Sequence, residues 1–341
     1  MSAHITAIEY FLPKGILSNE QLAEQYIGWS AEKIEKKTGI RERHIAAENE
    51  CSSDLGVAAA EKLLRSGVVE RDAIDYLIFC TQSPDYFLPT TACVMQHRLG
   101  LPKKIGALDI NLGCSGFIYG LGLAKGLIET AQSKNVLLVT AETYSKFIHL
   151  GDKSVRTLFG DAAAATLVQF ASDNVRIEGE MIGPFVYGTD GSGKDNLIVP
   201  TGGMRRKFVM EAEPTDDGQG NTRTINNLYM NGGEIFQFTL DCVSRSINEL
   251  LVKSRKEMND IDLFVFHQAN RYILDHLKRK LEIPSERFHI CVEKVGNTVS
   301  SSIPIAMKDA LDKKIIKSGN LLMLVGFGVG YSWGSVLVRW P

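Results

Sequence analysis

The run AIDYLIFC (73–80) has a counterpart in DIDLFVFH (260–267), 187 residues on, and NVLLVTAE (135–142) has one in NLLMLVGF (320–327), 185 residues on. A third pair, TLVQF (166–170) and VLVRW (336–340), lies 170 residues apart. Short apolar runs match by chance. Two nearly equal offsets in the same order instead predict a duplicated unit, with a longer turn in the first copy to account for the third pair. The strands read as Tyr76–Cys80, Ile105–Ile110, Val136–Thr140, Thr166–Phe170, Leu263–Phe266, Leu321–Val325 and Val336–Trp340. Helical spacing fills the intervals at Gln21–Lys37, Ser53–Arg65, Gly116–Ile128, Gly233–Val252 and Ile303–Leu311. Strands alternating with helices predict an α/β fold around a buried sheet. The chain divides into two similar halves, 1–175 and 176–341, meeting near residue 175. Residues 187–225 break the pattern, being glycine-rich, polar and weakly periodic. They read as a long surface excursion or as a lid over a site.

A length of 341 residues suits two such halves. The charge balance, 38 basic against 40 acidic residues, gives no electrostatic reason to expect nucleic acid or an anionic membrane as partner. The beginning MSAHITAIEYFLP lacks a basic stretch followed by an apolar one, and the apolar run Leu321–Val325 is far too short to span a bilayer. The six cysteines form no C-x-x-C pair, so neither a zinc site nor a disulfide framework is indicated. These features predict a reduced, cytoplasmic protein whose thiols are free for chemistry.

One thiol stands out. Cys114, in DINLGCSGFIYG (109–120), follows a strand and precedes a helical pattern. It reads either as a packed, inert cysteine or as a nucleophile. At a helix start, unpaired N–H groups and the helix dipole favour thiolate and lower the pKa. His267 closes the strand LFVFH at the rim where α/β folds place ligands, or is simply bonded at a strand end. Asn297 lies in the polar turn of VGNTVSSSIP, where a plain turn asparagine is the other reading. The turn GFGVGYSWGS (326–335) brings backbone N–H groups near a ligand but is followed by a strand, which excludes a dinucleotide fingerprint and suits an oxyanion. Leu112 excludes the G-x-C-x-G hydrolase elbow, and Ser-Gly-Phe after Cys114 does not fit a papain-like protease.

With NLGCSGF, HQAN and GNTVSSSIP on the page, together with KTGIRERHIA (37–46), LFGDAAAATLV (158–168), MNGGEIF (230–236) and the closing GFGVGYSWGSVLVRW, the chain resembles the β-ketoacyl-acyl-carrier-protein synthase III family of the thiolase superfamily. The likeness runs over nearly the whole length. It implies a thiolase-like fold of two pseudo-symmetric halves in five layers, α-β-α-β-α. It also implies ping-pong condensation: Cys114 takes an acyl group from acyl-CoA, and a malonyl group on acyl-carrier protein loses CO2 and attacks it. His267 and Asn297 would stabilise the enolate, and the N–H groups of Cys114 and Val329 would form the oxyanion hole.

The resemblance further implies a homodimer in which Pro84–Pro89 of one subunit, with Phe87 and Leu88, walls the partner's acyl pocket. No metal or resident cofactor is implied. For CoA or pantetheine it points to Trp29, Lys33, Lys37, Lys153, Gly232 and Asn270. Several of these depart from the family pattern. Lys33 and Lys37 stand where a Trp and an Arg are frequent, and Lys153 replaces an Arg. Gly233 replaces an Asn, Tyr272 an Arg, and Val329 a Gly. Three functions stay open at this point: a decarboxylating synthase, an acyltransferase of the same fold acting on an oxygen, nitrogen or sulfur acceptor, and a non-catalytic dimer partner.

Overall fold

A computed structural model describes residues 2–171 and 180–341. Its first sheet runs, in spatial order, Ala3–Phe11, Ala162–Phe170, Asn135–Glu142, Tyr76–Cys80 and Gly106–Ile110. The second runs Ile182–Thr189, Ser332–Arg339, Leu321–Gly328 and Leu263–Phe266. Both begin with two antiparallel junctions and then turn parallel, at Asn135–Glu142 with Tyr76–Cys80 and at Leu321–Gly328 with Leu263–Phe266. The strands read as repeats therefore occupy the same places in the two sheets. Where the first sheet adds its fifth strand, the second has a single parallel bridge, Phe264 with Phe288. The expected meeting point near residue 175 lies outside the described residues.

Successive side chains of a strand point to opposite faces, so a strand that is apolar at every position must be covered twice. Ile78, Leu138, Leu322 and Leu324 face a middle layer made by Phe117, Ile118 and Leu121 of helix Gly116–Glu129 and Ile303, Ala306 and Met307 of helix Ser302–Asp312. Leu77, Phe79, Leu137 and Val139 face Leu55, Ala59 and Leu63 of the outer helix Ser52–Arg65. Phe264, Phe266, Met323 and Val325 face Val243, Ile247 and Leu250 of Gly232–Ser254 and Leu274 of Arg271–Lys280. The result is α-β-α-β-α. Each such side chain contributes about 1.5–3 kcal/mol when fully buried, so the central strands stabilise the fold from both sides. The alanines of FGDAAAA fit this crowding: Ala163 and Ala165 pack outward, while Ala162 and Ala164 meet Ile305.

Besides the strands Ala3–Phe11 and Ile182–Thr189, absent from the sequence reading, two features differ from it. The helix expected over Gln21–Lys37 is two, Asn19–Gln25 and Ala31–Thr38, each capped by a serine hydroxyl, with Gly28 between them at φ +76°. The excursion expected at 187–225 begins inside the strand Ile182–Thr189. It continues through a turn at Gly191–Gly193 and a short ribbon, Leu197–Ile198 with Tyr229–Met230. A second ribbon pairs Thr215–Asp216 with Thr222–Arg223. Among the described residues, no helix is long and apolar enough to cross a membrane.

Candidate active site

Cys114 lies between strand Gly106–Ile110 and helix Gly116–Glu129 and is 5% exposed. Bare backbone of the second sheet closes on it. A Cβ on Gly328 would stand 2.7 Å from Cys114 Cβ and 2.9 Å from its Sγ, and one on Gly326 would stand 2.9 Å from Ser115 Cα. Strand Leu321–Gly328 thus carries glycine where it meets Cys114 and Ser115. Gly116 is bare for a similar reason, since its Cβ would lie 2.3 Å from Cys80 Sγ. The hydroxyls of Ser115 and Ser332 meet at 2.6 Å and tie the thiol's junction to the glycine turn. Reciprocal backbone bonds between Asp190 and Tyr331 brace the far side of that turn.

Burial, and then the charge of Glu142, push the Cys114 thiol up to about 12, against hydrogen bonds from the backbone N–H groups of Cys114 and Val329. The expected thiolate is therefore corrected to a thiol in the free enzyme. The helix begins two residues later, at Gly116, and a dipole effect of about 0.3–2 kcal/mol is smaller than the cost of placing a charge in this interior. The two opposing N–H groups are those expected of an oxyanion hole.

His267 follows strand Leu263–Phe266, and its N–H donates to Val325 at 2.8 Å. Its ring stands edge-on to Phe327 with centroids 5.3 Å apart, and Nδ1 meets Ser302 Oγ at 2.7 Å. Burial drives the imidazole down to about 3, against a hydrogen bond to the Val299 backbone, so His267 is neutral at physiological pH. Asn297 is buried, with its N–H bonded to Leu158 and its carbonyl to Gly160. Its Oδ1 accepts the Val299 N–H at 3.0 Å, which leaves the carboxamide NH2 as the free donor. Val299 has φ +52°, a strained value for a β-branched residue. Its side chain joins Cys114, Tyr144, Phe159, Leu197 and Leu228 in one apolar cluster, against which Val329 packs. The three residues singled out in sequence thus converge: Gly328 touches Cys114, neighbouring Phe327 touches His267, and the Asn297 loop lines the same cluster.

One residue escaped the sequence reading. Glu142, last in strand Asn135–Glu142, is fully buried beneath this cluster. Burial lifts its carboxyl to about 8 despite hydrogen bonds from Gln82, Ser300, Ser83 and Thr81. The available signal was one acid ending an otherwise apolar strand.

The residues expected at the rim are mostly engaged with the protein itself. Lys33 and Lys37 lie over the Trp29 ring at 5.1 and 4.7 Å, and Lys33 Nζ also donates to the Gly28 carbonyl. Lys153 Nζ donates to the carbonyls of Gln219 and Gly220. Asn270 caps helix Arg271–Lys280 through the Ile273 N–H, while Gly232 opens Gly232–Ser254 with open space where a Cβ would be. Phe87 and Leu88 are 76% and 80% exposed. A groove of about 590 Å3 runs between helices Ala31–Thr38 and Arg271–Lys280, lined by the basic Lys36, Arg271, Lys278 and Arg279, the acidic Glu35 and Asp275, and Tyr272; Asp275 pairs with Arg271 and Lys278. Apart from the site, ligating atoms of His289, Cys291 and Asp309 lie within 4.8 Å of one another. By donor type they could hold a borderline cation. Lys313 already pairs with Asp309, however, and burial pushes the Cys291 thiol up to about 12.

The family model for 3-oxoacyl-[acyl-carrier-protein] synthase III matches residues 108–191, and the model for its C-terminal part matches 251–340. The chain is 37% identical over 340 residues to the β-ketoacyl-[acyl-carrier-protein] synthase III of Campylobacter curvus, covering 99% of this chain and 97% of that one. The enzyme of the same name from Caldanaerobacter subterraneus is 34% identical, with 100% and 98% covered. Among solved structures, a 3-oxoacyl-(acyl-carrier-protein) synthase III superposes with a TM-score of 0.97 at 50% identity, with both chains wholly covered. The Burkholderia xenovorans synthase gives 0.90 at 36% identity, covering 100% of this chain and 94% of that one. By sequence over its full length, by fold and by the enzyme type of its relatives, the chain belongs to the β-ketoacyl-acyl-carrier-protein synthase III family of acyltransferases.

Proposed function

We propose that this enzyme condenses an acyl-CoA with malonyl-acyl-carrier protein, releasing CO2, in fatty-acid initiation. Cys114 Sγ attacks the acyl thioester. The bond to the CoA sulfur breaks, and the thiol proton leaves with CoA as its own thiol. The N–H groups of Cys114 and Val329 hold the oxyanion of this step, each such donor being worth about 10²–10³ in rate. Malonyl-acyl-carrier protein then loses CO2, and the electron pair of the broken C–C bond becomes an enolate. His267 and Asn297 donate to the enolate oxygen. This role requires the Ser302 hydroxyl, 2.7 Å away, to donate to Nδ1, so that the ring carries its hydrogen on Nε2. The enolate carbon attacks the acyl carbonyl, and Cys114 leaves as thiolate and recovers a proton.

The observation that carries this reading is the contact of bare Gly328 with Cys114 beside Phe327 and the neutral His267. A thiol next to uncharged donors supports this chemistry. The groove beside Arg271, with four basic side chains against two acidic ones, suits an acidic carrier protein, because its helix follows directly from His267–Asn270. The exposed Phe87 and Leu88 suit a second copy of the chain, completing its acyl pocket in a homodimer. Trp29, Lys33, Lys37, Lys153, Gly232 and Asn270 are proposed as the surface that meets CoA. The enzyme acts in the cytoplasm and requires no resident cofactor.

The test is a two-stage reaction. A panel of acyl-CoAs should give an acyl adduct by intact mass that Cys114→Ala abolishes, and malonyl-acyl-carrier protein should then release CO2 in step with loss of the adduct. Absence of an adduct with every donor overturns the reading. Acyl transfer without CO2 replaces it with a non-decarboxylating transferase.

A further inference from the structure

Glu142 is a carboxyl held by four residues from two segments. The Gln82 N–H reaches it at 3.1 Å, Ser83 Oγ at 3.0 Å and Thr81 Oγ1 at 3.4 Å, all from the turn after strand Tyr76–Cys80. Ser300 Oγ reaches it at 2.9 Å from the loop between Asn297 and Ser302. That loop carries the Asn297 amide and the hydroxyl bonded to His267. The Thr81–Ser83 turn leads directly into the exposed Tyr86–Leu88 segment, and Gln82 Oε1 accepts the Tyr144 hydroxyl inside the Cys114 cluster. One carboxyl thus joins both sides of the pocket floor. In the sequence repeat Glu142 aligns with Phe327, the residue that packs on His267.

We propose that Glu142 is a positioning residue for both half-reactions. Its carboxyl group fixes the Asn297 loop against the Thr81–Ser83 turn, and once ionised its charge opposes a second negative charge on Cys114. Two like charges in one buried site cannot both form cheaply. The titratable groups around the pair are Cys80, Tyr144 and His267. Cys80 and Tyr144 are pushed up, by burial first and then by Glu142, and His267 is neutral. Glu142 is therefore the group around this floor that ionises first as pH rises above neutrality. The inference rests on Cys114 being the acyl carrier, but its labelling test requires no acyl chemistry, so failure of the reaction and failure of the inference are read apart.

Labelling of Cys114 by iodoacetamide, followed on its own peptide by mass spectrometry across pH, reads the thiol directly. Glu142→Gln should lower the labelling midpoint by about one pH unit, roughly a tenfold rise in thiolate in the alkaline range where Glu142 is ionised, and leave labelling unchanged where the carboxyl is protonated. Glu142→Asp retains the charge and should restore the high midpoint. Ser300→Ala keeps the carboxylate and should leave the midpoint from falling while slowing malonyl decarboxylation about tenfold, as a displaced donor does. An unchanged midpoint in Glu142→Gln, or an equal fall in Glu142→Asp, overturns the charge role. Decarboxylation at the wild-type rate in Ser300→Ala overturns the positioning role, and this variant remains decisive if Glu142→Gln does not fold.

Discussion

Around Cys114 the backbone and the polar groups hold one another in place: Ser115 on Ser332, Asn297 on Val299, Ser302 on His267, Ser300 on Glu142. At the rim, Lys33, Lys37 and Lys153 reach the protein's own ring and carbonyls through long, partly exposed side chains. The contrast separates two tasks. Bond making requires donors fixed in advance, because reorganisation at the moment of reaction costs rate. Gripping a large, charged thioester tolerates side chains that exchange one partner for another, since exposed contacts of this kind are worth little individually. Substitutions in the floor should therefore act on rate constants, and substitutions at the rim on apparent affinity.

The largest effect should come from the Asn297 amide. Asn297→Asp keeps an oxygen for the Val299 N–H but replaces the NH2 donor with a carboxylate oxygen, which repels an enolate. Malonyl decarboxylation should fall by about 10²–10³ or more, while acyl-Cys114 still forms near the wild-type rate. Separate assays of the two half-reactions decide this, and equal losses in both would remove Asn297 from the decarboxylation step. Gly328→Ala should come next. Its Cβ would press on Cys114 at 2.7 Å, and the neighbouring contact of Gly326 with Ser115 leaves the thiol little room to retreat. Single-turnover acylation should slow about a hundredfold, the scale of an ångström's misplacement, with the unfolding free energy lowered by only about 1–3 kcal/mol, as in a crowded core. Wild-type acylation in Gly328→Ala would show that the floor is softer than the contrast requires.

What the sequence made legible follows the same division. The repeat was visible because the central strands are covered on both faces and so are apolar throughout. Strands Ala3–Phe11 and Ile182–Thr189 escaped because they carry mixed sequences, the second interrupted by Gly183 and Pro184, whereas the equally outermost Gly106–Ile110 and Leu263–Phe266 were read. Cys114, His267 and Asn297 could be found because each sits at an element boundary with a recognisable sequence around it. The state of the thiol could not be found, because it depends on burial and on Glu142, which is distant in sequence and looks like the end of a strand. The self-pairing of Lys33, Lys37 and Lys153 was equally hidden. A lysine's type and position do not reveal which of several nearby acceptors its flexible stem will reach.

Lys153 sharpens the comparison at its small end. Its ammonium bridges Gln219 and Gly220, carbonyls of the turn that closes the ribbon Thr215–Asp216 with Thr222–Arg223. Arg223 in turn pairs with the buried Asp152 at 3.0 Å, so the ribbon keeps a second anchor when Lys153 is removed. Lys153→Ala should therefore leave the fold intact and raise KM for acyl-CoA severalfold, about 1 kcal/mol for one exposed contact, with kcat nearly unchanged. The effect should shrink at high salt, because an exposed cation acting on a phosphate is screened. A fall in kcat without a change in KM would mean that the ribbon positions the reacting thioester, and that the boundary between fixed floor and adaptable rim lies farther out than Lys153.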